Sequence, residues 1–308
     1  MRIRASILLS TIAALALPLS AFPQSFEGIV KQRTIEVGEY GLSELLYDDE
    51  GEEPDFETEV EWLRYSANKL FSLPTDRLLS SGEGADWQEI TLYVKGSKVR
   101  YDQAGEDGGG YMIMDAESQT TWMVIPSERS FIKWTAEEAQ AAAEDAAREA
   151  EEMMVRMGLD PEELRAQAEA MGETDEEDGG VGGAPTVRSL GRTEDINGFR
   201  ASAYEAASGE EIALGWCAED ASGLLGTMEM LAKQAGMNEE EDVPGSGPDT
   251  QELVCRDKLP VKVQVYSPSR MNAYVMEEIV SIQATSVSDA RFQIPDGYTE
   301  KKLSDMWK

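Results

Sequence analysis

Lys95, Lys98 and Arg100 fall within six positions of one another in the stretch ITLYVKGSKVRYDQ (90–103), in a chain of 308 residues with 60 acidic and 27 basic side chains. Cations at this spacing can hold a small anion, so Lys98 and Arg100 are candidate anion contacts. The same three side chains also suit the wetted side of an ordinary hairpin, and the pattern alone leaves both readings open. Other chemistry is more sharply bounded. The chain contains no histidine, which removes Ser–His and Cys–His nucleophile pairs, histidine-built zinc sites and haem ligation by histidine. It has no Gly-x-Ser-x-Gly elbow and no Walker-type phosphate loop. The run Gly108-Gly109-Gly110 lies between strand patterns and lacks the following helix that a phosphate cradle needs. Carboxylate pairs could act as acid and base, but with this many acids such pairs arise by chance. Asp115, at a strand end, is accounted for by an Asx-type turn bond. The acidic runs Asp48–Glu53, Asp175–Asp178 and Glu239–Asp242 lack the glycine and ligand spacing of a calcium loop. The sequence therefore predicts a protein that is not an enzyme, with no metal and no cofactor.

The formal net charge of −33 repels nucleic acid and anionic headgroups, both of which require a basic footprint. The charge is read as serving solubility, with a weak sink for divalent cations as the sharper reading. The two cysteines, Cys217 and Cys255, are expected to form a disulfide, with two buried thiols as the alternative. The compartment follows from the N-terminus: MRIRASILLSTIAALALPLSAF has a basic start, a short apolar run and small residues around Ala21, the pattern of a secretory signal peptide spanning 1–21. No later stretch approaches ~18 uninterrupted apolar residues, so no integral membrane span is expected after cleavage. The periplasm is the predicted location, with secretion as the alternative.

The elements that must position these residues are mostly strands. Ile90, Leu92 and Val94 alternate with polar neighbours. After Gly96-Ser97 the alternation resumes with Val99 and Tyr101, predicting a hairpin that pairs Lys95 with Lys98, Val94 with Val99 and Leu92 with Tyr101. A first strand is read at 26–37, a loop over 38–58, and a helix near Val60–Phe71 stopped by Pro74. GYMIMD, TTWMVIP and SFIKW form a meander whose connections are too short for parallel crossovers. Thr135 with Glu138 makes a capping box that opens a helix, and Asp160-Pro161 starts another. Residues 135–172 thus read as an inserted acidic helical hairpin, followed by mobile acidic linkers at 173–185 and 237–250. Strands resume at 186–196, 198–206 and 210–218, a third helix is read from Leu224 to Ala235, and strands close the chain. One apolar sheet face is expected to hold Leu92, Val94, Val99, Tyr101, Met112, Met114, Trp122, Val124, Phe131 and Trp134, with Met228 and Leu231 offered from a helix. This inventory is read both as core and as a groove for an apolar ligand.

Phe26-Glu27-Gly28, the hairpin Tyr93–Arg100, Met114-Asp115, Thr121-Trp122, Pro126, Asn197-Gly198 and the terminal Phe292–Tyr298 together resemble a family of exported bacterial proteins classed as a domain of unknown function. That family is similar to the periplasmic lipoprotein-carrier (LolA-like) fold. The resemblance implies an α+β protein, a curved antiparallel sheet forming an unclosed half-barrel with helices over its concave face, as a single domain spanning 22–308. The carriers' arginine is matched loosely by Arg100, and the inserted helices depart from the carriers' plan. The expected function is non-catalytic: a soluble cell-envelope protein that binds an apolar or lipid-like ligand, or an apolar segment of another envelope protein. The alternative is an envelope interaction or scaffold protein with a filled core that acts through its acidic surface.

Overall fold

The computed structural model describes residues 26–46, 56, 58–80, 85–103, 109–157, 185–209, 211–220, 223–227, 250–268 and 273–303. The expected signal peptide, the inserted helix from Asp160, most of both linkers, Met228 and Leu231 lie outside them. Twelve strands form one sheet: β1 (Gly28–Val37), β2 (Ala85–Lys95), β3 (Lys98–Gln103), β4 (Tyr111–Asp115), β5 (Thr120–Ile125), β6 (Ser130–Thr135), β7 (Thr186–Ile196), β8 (Phe199–Ser208), β9 (Glu211–Ala218), β10 (Leu259–Tyr266), β11 (Tyr274–Ala284) and β12 (Thr299–Lys301). Their order is β12-β6-β5-β4-β3-β2-β1-β11-β10-β9-β8-β7. The first strand of the chain therefore sits in the middle and joins two meanders. The two edge strands, β12 and β7, do not pair, so the sheet is unclosed. With the helices α1 (Glu39–Leu46), α2 (Glu59–Ser72), α3 (Thr75–Leu79), α4 (Ala136–Arg156) and α5 (Thr250–Val254) among the described residues, the fold is the α+β antiparallel half-barrel anticipated from the sequence.

The β2–β3 hairpin has the predicted register, with Lys95 opposite Lys98, Val94 opposite Val99 and Leu92 opposite Tyr101. Gly96 supplies the left-handed backbone of its turn at φ 58°, a conformation glycine adopts without steric cost. Alternation carried through the ladders assigns the side chains to two faces. The first face holds Val30, Ile90, Leu92, Val94, Val99, Tyr101, Met112 and Met114, all buried in one cluster with Phe26, Leu224, Leu225 and Leu259. The second face holds Tyr93, Lys95, Lys98, Arg100, Ile113, Trp122, Val124 and Phe131.

Helices cover both faces. On the second face Leu63, Ala67 and Leu70 of α2 pack with Ile35, Ile212, Tyr266, Tyr274 and Met276. On the first face Val254 and Cys255 press on Ala206, Ala213, Val263 and Val265. Strand β9 is held between these layers, and all eight of its residues are buried. The Cys217–Cys255 disulfide, with Cα atoms 5.4 Å apart, ties the end of α5 to β9; closing a loop of 38 residues contributes about 4 kcal/mol on the chain-entropy model.

Thr58 caps α2 by accepting from the Glu61 amide, and the expected capping box of Thr135 and Glu138 opens α4. The sequence reading missed four elements: α1 occupies part of the expected loop over 38–58, α3 follows Pro74, α5 lies ahead of β10, and β12 closes the described chain.

Candidate functional site

Beyond β11 the chain does not leave the sheet. Residues 285–303 cross the second face from β2 to β6 as a strap. Glu27 Oε1 accepts from the Val287 amide at 2.9 Å. Lys95 Nζ donates to the Val287 carbonyl at 3.0 Å and pairs with Asp289 at 2.8 Å. Arg100 Nη1 donates to the Arg291 carbonyl at 3.0 Å, and the Arg291 guanidinium stands 4.7 Å from the Tyr93 ring centroid. The strap ends as β12, which pairs parallel with β6, and Lys301 pairs with Glu128. Beneath it Ile113 and Val124 are fully buried.

This placement explains the basic cluster of the opening stretch. The Arg100 guanidinium donates to both oxygens of Asp102, at 2.5 and 3.0 Å, and lies 3.6 Å from the Tyr111 ring centroid. Burial pushes the Tyr111 phenol up from its ordinary value, against the opposing pull of Arg100. The hydrogen bond from Lys95 holds the Asp289 carboxyl below the usual range, and the same bond raises Lys95. Lys98 lies 3.9 Å from Asp115. Of the side chains read as a wetted face or as an anion grip, Lys95 and Arg100 bind the chain's own C-terminal segment, and Lys98 stays largely exposed beside Asp115. Asp115 does make the Asx-type bond, accepting from the Glu117 amide at 3.1 Å and from Ser97 Oγ at 2.9 Å.

The candidate groove residues divide between the faces. Leu92, Val94, Val99, Tyr101, Met112, Met114 and Trp134 share the first face. Trp122, Val124 and Phe131 occupy the second, where β5 and β6 alternate out of phase with the expected set. The sequence reading passed over Met123 and Ile132, which are the first-face residues of these two strands. The apolar first-face side chains of β2–β4 are packed to exposures of 0–7%.

The layer opens at Trp134, half-buried against the first-face cluster. There, a cleft of about 600 Å³ runs between α4 and the β6/β12 edge. Its apolar lining is Trp134, Ala141, Ala142 and Leu303, and its rim carries Lys133, Lys301 and Lys302 facing Glu138, Asp145 and Glu300. The Glu138 carboxylate is already occupied in capping α4, accepting from the Thr135 amide at 2.9 Å. The cleft brings the predicted Trp134 together with residues that have no sequence signal of their own, because β12 reaches this edge from the far end of the chain. Among the described residues no group of three or more His, Cys, Asp or Glu side chains is arranged to hold a metal ion. No helix among them is long and apolar enough to cross a membrane.

No curated protein matches the chain. Among solved structures it is similar to a LolA superfamily protein from Nitrosomonas europaea, with 10% identity and a TM-score of 0.30 over 94% of this chain and 98% of that one. It is also similar to PNGF-II in two crystal forms, with 8% and 10% identity and TM-scores of 0.32 and 0.30 over 92% and 91% of this chain. The chain spans about a third of PNGF-II, 34% and 33% in the two forms. Residues 162–298 match the family described as a domain of unknown function, DUF4412; of the motifs that carried the resemblance, Asn197-Gly198 and Phe292–Tyr298 lie inside this span, and the β2–β3 hairpin precedes it.

Proposed function

We propose that the protein is a non-catalytic binding protein of the bacterial cell envelope, exported by residues 1–21. It takes an apolar or lipid-like ligand, or an apolar segment of another envelope protein, in the cleft beside α4. The observation that carries this reading is the continuity of the cleft with the first-face layer: Trp134 lines the opening and also touches the buried cluster that contains Met112 and Met114. A cleft of about 600 Å³ falls within the usual size of small-molecule sites, which are largely apolar with a few polar groups that set orientation. Methionine adapts its shape to varied apolar partners. The absence of histidine from the whole sequence and the disulfide agree with a non-catalytic protein of an oxidising compartment.

Native mass spectrometry of protein purified from the periplasm, followed by organic extraction, tests the reading. An adduct released by extraction, and lost in Trp134→Ala, supports it. A bare mass that added fatty acids and phospholipids leave unchanged overturns it.

The second reading, an interaction protein acting through its acidic surface, has its own observation. The end of α4 exposes Met153, Val155 and Met157, at 60%, 60% and 63%, beside an acidic sequence. It predicts partner binding that weakens steeply with salt.

A further inference from the structure

On the half of the sheet away from the α4 cleft, Trp216 of β9 is 6% exposed, and its indole Nε1–H has no hydrogen-bond partner among the described residues. A buried donor left unpaired costs free energy, and native proteins rarely leave one so. The surroundings are cationic although the chain is strongly acidic. Lys262 Nζ stands 5.2 Å and the Arg192 guanidinium 5.6 Å from the Trp216 ring centroid. Two acids and a third cation complete the cluster. Glu278 is taken by Arg33 at 2.7 Å and by Asn197 Nδ2 at 2.5 Å. Glu194 approaches Arg192 only to 3.9 Å. Lys262 makes no ion pair within 4.0 Å among the described residues. The setting is otherwise apolar, with Leu190, Ile196, Phe199, Leu214 and Val261 around the ring. Burial accordingly lowers the Lys262 pKa, as expected of a desolvated cation short of counterions.

We propose that Trp216 Nε1–H, Lys262 and Arg192 form a site on the second face for a small monoanionic oxyanion, a carboxylate or a phosphate. The anion accepts from the indole donor and gives Lys262, which has no ion pair among the described residues, a counterion. The exposed Arg192 side chain, 50% accessible, marks the way in from solvent. A fully ionised carboxylate or phosphate oxygen makes the charge-assisted bonds that such a donor set favours.

Proton–nitrogen correlation spectra of the indole groups test this. The Trp216 cross-peak is assigned by its loss in Trp216→Phe. Wild type, Lys262→Met and Arg192→Gln are titrated with acetate and with inorganic phosphate at constant ionic strength, and chloride is the control. The expected result is a saturable shift of the Trp216 peak with at least one oxyanion, weakened at least about tenfold in Lys262→Met. Saturation by one oxyanion alone identifies its class. A shift that never saturates, matches chloride, or persists unweakened in both variants overturns the proposal.

Discussion

Gln264 is fully buried on the second face, where its Nε2 donates to the Tyr274 hydroxyl at 2.7 Å. Burial pushes the Tyr274 phenol far above its ordinary value, so it stays protonated throughout the physiological range. Tyr274→Phe strips Gln264 of that partner at no gain in solvation, and the expected cost is about 1–3 kcal/mol in urea unfolding. Adding Gln264→Leu should recover part of this, since removing both polar partners costs less than orphaning one; a double variant no more stable than Tyr274→Phe alone would contradict it. Asp115 has a pH signature. Burial alone would raise its carboxyl, but hydrogen bonds from Ser97 Oγ, the Glu117 amide and Ser118, with the Lys98 charge, carry it below the usual range. A depressed folded-state value means that the stabilisation is complete above the unfolded carboxyl pKa of roughly 4 and is lost as pH falls through the lower folded value. Asp115→Asn should therefore lower stability at pH 7 and cost progressively less as pH falls below about 4; an equal loss at every pH would assign the residue a purely steric role. At this scale the sequence was legible where alternation was clean. In the hairpin segment 90–103 the aliphatic residues fall on one parity, so the register followed. In β5 both parities are apolar, Trp122 and Val124 against Met123 and Ile125, because the strap buries the second face as well. Alternation then carries no information about side, and three candidate residues were assigned to the wrong one.

Among the elements, the strap is held by few contacts. The strap has ion pairs at Lys95–Asp289 and Lys301–Glu128, the carbonyl bond from Arg100, and a three-residue parallel strand whose residues are all exposed. Exposed ion pairs contribute little each, so the strap should open locally at a free energy well below global unfolding. Lys95→Met is expected to speed amide exchange in residues 285–303 severalfold while shifting the thermal midpoint by less than about 2 °C. Equal acceleration across β1 and β11 would mean that strap and sheet unfold as one unit. Reducing the Cys217–Cys255 bridge has the opposite reach. It releases α5 from β9, a strand buried on both faces, and should lower global stability by about 4 kcal/mol or less. Both elements explain what the sequence concealed. The strap has no periodicity because it pairs through side chains and three ladder positions. Helix α1 hides in an acidic, glycine-containing stretch where Leu42 and Leu45 are its buried apolar anchors, too short a pattern to separate from loop. The capping box of α4, by contrast, is a local signal and was read directly.

At the scale of the whole molecule, a net charge of −33 acts on the fold and on its parts with opposite sign. Like charges spread over a compact chain repel one another and favour expansion, so screening them stabilises the folded state. The Debye length shrinks from about 30 Å at 0.01 M salt to roughly 3 Å at 1 M, which suppresses this long-range repulsion almost entirely. The same screening weakens the short exposed pairs that hold the strap to the second face, since their attraction depends on accessible charges at the surface. Raising sodium chloride from 0.01 to 0.5 M should therefore raise the thermal midpoint while amide exchange in residues 285–303 becomes faster. Lys95→Met, which already lacks the Asp289 pair, should show the gain in midpoint with a smaller salt response in the strap. If salt instead slowed exchange in the strap along with the rest of the sheet, apolar packing over Ile113 and Val124 would be the dominant hold on that segment, and the cationic cluster at Lys95, Lys98 and Arg100 would be secondary to it.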